Sequence, residues 1–61
     1  MTATITVTGR LRVKAAMERQ RIEHYERAGD HAAALRHLGR MQDYVNTERV
    51  VREAMVLEGI P

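Results

Sequence analysis

From Asp30 to Glu58, Ala34, Leu35, Leu38, Met41, Tyr44, Val45, Val51 and Met55 recur at helical spacing and fall on one side of a helical wheel. Arg36, Arg40, Gln42, Arg49 and Glu53 lie roughly opposite, and Glu48 is the one charge inside the stripe. The stretch has no proline and a single interior glycine, Gly39. The pattern predicts one helix over 30–58, about 43 Å long at ~1.5 Å per residue. Asn46-Thr47 is the natural place for a bend or break, since both residues are poor in helix interiors and good caps.

The stretch before it also reads as helix, over 10–28. Leu11, Ala15, Ile22 and Tyr25 share a face, with Glu18 as a polar gap in it, and Val13, Met17 and Ala28 form a second, thinner stripe. Gly29 is placed as a left-handed C-cap and Asp30 as the N-cap of the next helix. So short a connection makes the two helices antiparallel neighbours. The expected hairpin core is Ile22, Tyr25, Leu35, Leu38, Met41 and Tyr44.

Residues 2–8 follow a different period. Threonine alternates with Ala3, Ile5 and Val7, which predicts a short strand with two unlike faces. The odd positions continue through Leu11 and Val13, so residues 10–13 offer a second strand with Thr8-Gly9 as the turn. Without that pairing, the strand needs the sheet edge of another chain, because a lone strand leaves its backbone groups unsatisfied. The remaining alternative is an extended arm. The expected fold class is therefore mainly α: an antiparallel helical hairpin with a long second helix and a short N-terminal β-strand or arm, one small domain over 1–61.

Composition narrows what such a chain does. At 61 residues the core is small, and domains of this size commonly gain stability from disulfides, metal or association. There is no cysteine, which removes disulfides and thiolate metal sites and leaves association. There is also no serine, so a serine triad is excluded, and the four glycines are too scattered for a phosphate loop. His24, His31 and His37 have no i,i+4 relation, so no metal site is expected. The reading is a non-enzyme without cofactor or small-molecule substrate. No apolar run approaches the ~20 residues of a membrane span, so a cytoplasmic protein or a component of a larger soluble assembly is expected. The net charge is +2, and nine of the ten basic residues are arginine. Residues 1–29 hold six basic against three acidic residues, whereas residues 30–61 hold four against five.

Around the turn, Tyr25, Gly29, His31, Ala34 and Leu38 stand at the spacing of an aromatic, a glycine, an aromatic-like residue, a small residue and a large apolar one. In this the segment 15–46 resembles a single tetratricopeptide-type hairpin. The resemblance implies a hairpin that stacks on something else, since one repeat cannot bury its own face.

The order of an alternating strand and two helices, with a basic N-terminal half, resembles the ribbon-helix-helix repressors. That resemblance implies a dimer whose paired strands enter the major groove of DNA. Thr4, Thr6 and Thr8 would then face bases, with Arg10 and Arg12 near phosphates and Ile5 and Val7 facing inward. The favoured expectation is a protein–protein interaction or assembly module of bacterial or phage type. It would be homo-oligomeric or docked on a larger protein through Ile5, Val7, Val51, Met55 and Leu57. DNA binding is the alternative.

Overall fold

Two long helices account for the architecture. In the computed structural model, α1 runs Thr2–Arg27 and α2 runs His31–Leu57. The structure describes the backbone of residues 2–59 and the side chains of residues 7–59. The helices pack antiparallel: Tyr25 meets His37 beside the turn, Glu18 meets the same residue, Lys14 meets Tyr44, and Arg12 meets Glu48 further out. Among the described residues, no helix is long and apolar enough to cross a membrane.

The turn is built by the residues that the sequence marks for it. Gly29 has φ of 77°, the left-handed region where a side chain would be strained. Asp30 N–H donates to Tyr25 O at 2.9 Å and Gly29 N–H to Glu26 O at 3.1 Å, the paired bonds of a Schellman cap. Asp30 then caps α2, its Oδ1 accepting from Ala33 N–H at 3.1 Å. One dipeptide thus ends α1 and starts α2, and the chain has no slack to change their order.

The seam between the helices follows 3–4 spacing on both sides. On α1 the residues turned inward are Thr8, Leu11, Ala15, Glu18, Ile22 and Tyr25; on α2 they are Ala34, His37, Met41, Tyr44, Glu48, Val51 and Met55. This alternation of three and four is the knobs-into-holes pattern of paired helices. Among the described apolar residues only Ala15, Ala33 and Ala34 are fully buried, all methyl-sized, while the larger seam residues are half-buried. The hairpin is accordingly long and thin, about 46 × 17 × 10 Å, with a radius of gyration of 14.1 Å. A compact domain of this length has a radius of about 10.5 Å.

Leu35 departs from the expected core: it is 66% exposed. Ala34 takes the seam position ahead of His37, and Leu35 lies about 100° further round the helix. At Asn46-Thr47, where a break is conceivable, α2 is continuous. Thr47 Oγ–H donates to Asp43 O one turn back, at 2.8 Å, which satisfies its hydroxyl within the helix. α1 starts ahead of residue 10, its backbone being helical from Thr2. No strand occurs among the described residues. The face pattern expected of residues 2–8 falls mostly on side chains 2–6, which lie outside the described residues.

Candidate functional site

The middle of the seam is polar. Glu18 is the one buried charged residue among those described, 3% exposed, where the sequence shows only a gap in an apolar stripe. Its position three residues after Ala15 and four before Ile22 turns the carboxylate into the interface. Arg21, one turn later on α1, donates from Nη1 to Glu18 Oε1 at 2.6 Å. From α2, His37 Nδ1 lies 2.5 Å from Oε2. Both oxygens of the carboxylate are therefore engaged.

The hydrogen bond from His37 is the main cause that holds the Glu18 carboxyl below its ordinary pKa. Burial opposes it by disfavouring the charged form, and Arg21 adds to the lowering through its hydrogen bond and charge. An ionised carboxylate only accepts, so Nδ1 of His37 carries the hydrogen in this pair. The arrangement stabilises a fixed negative charge. It joins α1 to α2 across the middle of the seam.

Rings close over this centre. The Tyr25 ring stacks on His37 with centroids 5.3 Å apart and planes 9° from parallel. His24 meets Tyr25 edge-on at 5.2 Å. Further along, the Lys14 ammonium sits 5.7 Å from the centroid of Tyr44. Beside the rings, an open groove runs between the helices. One depression is lined by Met17, Gln20, Arg21, His24, Tyr25 and His37, and the next by Lys14, Met17, Glu18, Arg21 and Tyr44. A third, along the outer side of α1, is lined by Gly9, Arg10, Val13, Lys14 and Met17. The three share Lys14, Met17 or Arg21 and form one strip.

A second feature lies on the other flank of α2. Val45, Arg49, Arg52 and Val56 follow one another at intervals of four, three and four, repeating the seam spacing one position round the helix. Val56 is 76% exposed and Leu57 87%. Arg49, Arg52, Glu53, Val56 and Leu57 line an apolar depression there. Glu48 ties this flank to α1, accepting from Arg12 at 2.6 Å and pairing with Arg52 at 3.1 Å.

The residues expected from sequence separate into groups. Ile22, Tyr25, Leu38, Met41 and Tyr44 are half-buried along the hairpin, while Leu35 points away. Of the expected partner interface, Val51 and Met55 are half-buried at the open end of the seam, whereas Val7 and Leu57 are exposed. The Ile5 side chain lies outside the described residues, as do those of Thr4 and Thr6. Thr8 is half-buried, Arg10 is exposed, and Arg12 is bound to Glu48. No group of histidine and carboxylate residues that would hold a metal occurs among the described residues.

Read from spacing alone, His37 is a solvated or edge residue, and its bond to Glu18 corrects that. A signal is present in the sequence: Glu18 and His37 both occupy seam positions, so a hairpin folded at Gly29 brings two inward polar residues near one another. Comparison with family models, with curated proteins and with solved structures found no match, so the reading of this chain rests on its own residues.

Proposed function

We propose that the chain is a small protein–protein interaction module that associates with a second copy of itself, two hairpins side by side forming a four-helix assembly. The observation that carries this is the imbalance of the isolated hairpin. Its fully buried apolar residues are three alanines, while Val13, Leu35, Val45, Val50, Val56 and Leu57 stand exposed. Two-helix forms of this size bury little on their own, and a second hairpin supplies the missing layer. The second stripe on α2, Val45 to Val56, has the spacing that a neighbouring helix needs. The hairpin is 46 Å long, so a second copy can lie alongside it over many helical turns.

The flank also carries both signs of charge, with Arg49 and Arg52 beside Glu53. A two-fold arrangement can set these against one another. Two observations weigh against the DNA-binding alternative: Thr8 is half-buried, and Arg12 is paired with Glu48.

Sedimentation across a wide concentration range tests the proposal. The wild-type chain is expected to be dimeric. Val56→Asp, a change at an exposed position outside the hairpin seam, is expected to give a helical monomer of lower melting temperature. A wild-type monomer with a sharp, concentration-independent melt would rule self-association out.

A further inference from the structure

The groove on the other side of the seam has a different character. Arg10, Lys14 and Arg21 stand along it on α1. Arg40 follows His37 by three residues and precedes Tyr44 by four, which puts it on the same side of α2. Among the described residues, Arg10 and Arg40 have no acidic partner, and Lys14 meets only the Tyr44 ring. The one acid lining the strip is Glu18, and both its oxygens are already engaged. Of the other acids, Glu48 pairs with Arg12 and Arg52, Glu53 with Arg49 and Glu23 with Arg27, Asp30 caps the turn, and Asp43 stands three residues after Arg40 on α2, so the cations of this flank outnumber its acids. This face therefore has an excess of positive charge around a floor made by Met17, Tyr25 and Tyr44.

We infer that this groove binds an acidic amphipathic helix of another protein, whose carboxylates meet Arg10, Lys14, Arg21 and Arg40 and whose apolar ridge rests on Met17. Like charge opposes the same face of a second copy, since its cations would meet their own equivalents. Aromatic rings among cations also suit nucleic acid when bases can stack on them. Here one face of each ring is already covered: Tyr25 and His37 stack on one another, and Lys14 sits over Tyr44. The strip offers charge and an apolar floor, walled by both helices near Tyr25 and Tyr44 and by α1 alone near Arg10, which is a setting for a helix laid along it. Arg10, Lys14 and Arg21 lie at about 0, 6 and 16 Å along the axis at ~1.5 Å per residue. A partner helix with acids at i, i+4 and i+11 matches that ladder.

The probe is a labelled synthetic helix of about 20 residues, long enough to hold helical structure, with glutamates at those three positions beside a leucine ridge. A lysine version, a single-stranded and a duplex oligonucleotide accompany it in fluorescence anisotropy at rising salt. The glutamate peptide is expected to bind best, with affinity falling as salt rises. Arg10→Glu with Lys14→Glu is expected to weaken it by about tenfold at unchanged helicity and unchanged oligomeric state. No binding, or equal binding of the two peptides, overturns the inference. Tighter binding of an oligonucleotide overturns it in favour of nucleic acid. A change in oligomeric state on charge reversal overturns it in favour of a second copy. Because the dimer proposal is read on Val56→Asp at the opposite flank, the two can fail separately.

Discussion

The same substitution, glycine to alanine, is expected to act with opposite sign at two positions of this chain. Gly29 sits at φ 77°, and a Cβ there would meet nothing within 4 Å. The penalty of Gly29→Ala is therefore a backbone effect alone. Holding an L-residue in the left-handed region costs about 1–2 kcal/mol. For a domain of this size that lowers the melting midpoint by roughly 4–16 °C. Gly39 lies inside α2, and a methyl group there would also meet open space. Gly39→Ala removes the entropy penalty of glycine in a helix and stabilises by about 0.5–1 kcal/mol, raising the midpoint by roughly 2–8 °C. Thermal melts by circular dichroism at one fixed protein concentration give both values, and the double variant is expected near their sum because the sites are apart. A neutral or stabilising Gly29→Ala would mean that the turn is not left-handed. A destabilising Gly39→Ala would mean that α2 is interrupted or that this face is occupied by another chain.

The cap and the seam give three further outcomes. Asp30→Ala removes the acceptor for Ala33 N–H and is expected to destabilise by about 1 kcal/mol in urea unfolding, with Asp30→Asn retaining most of the stability. The Glu18 carboxyl lies below its ordinary value of 4.5 when folded, so its stabilising contribution is present above that value and is lost as pH falls through the lowered one. Acid titration of stability should therefore show a shallower low-pH limb in Glu18→Gln than in the wild type. His37→Leu leaves a buried carboxylate short of a partner and should lower stability, whereas Glu18→Leu combined with His37→Leu should recover much of the loss; a double variant worse than His37→Leu would contradict the assigned pairing.

Much of the hairpin is legible in the sequence because its signals are local. Gly29-Asp30 is a stop followed by a start, and helical spacing on either side needs no knowledge of what lies opposite. The continuity of α2 is harder to read, since Thr47 is a poor interior residue by propensity. Its hydroxyl is satisfied by the Asp43 carbonyl, a local bond that propensity does not register. Leu35 falls in the expected core because a wheel averaged over a whole helix is wider than the seam itself. Ala33 and Ala34 hold the buried positions near the turn, and Leu35 falls beside them on the exposed side. Glu18 and His37 read singly as a gap and an edge residue, because their meaning lies in a pairing across 19 positions. Residues 2–8 have a period of two, and what such β-branched segments do is decided by packing partners rather than by the segment itself.

The three-residue connection, 28–30, also governs how the molecule can form. Each rung of the seam lies one helical turn further from Gly29 on both arms, so loops close in sequence from Tyr25–His37 outward to Arg12–Glu48. Once the first rung is in place, each later one encloses only a few additional residues, and the entropy of closure rises slowly. The chain is thus set to zip from the bend, with rapid, low-contact-order kinetics. Changes beside Gly29 should slow folding, while changes at Val51 or Met55 should chiefly speed unfolding.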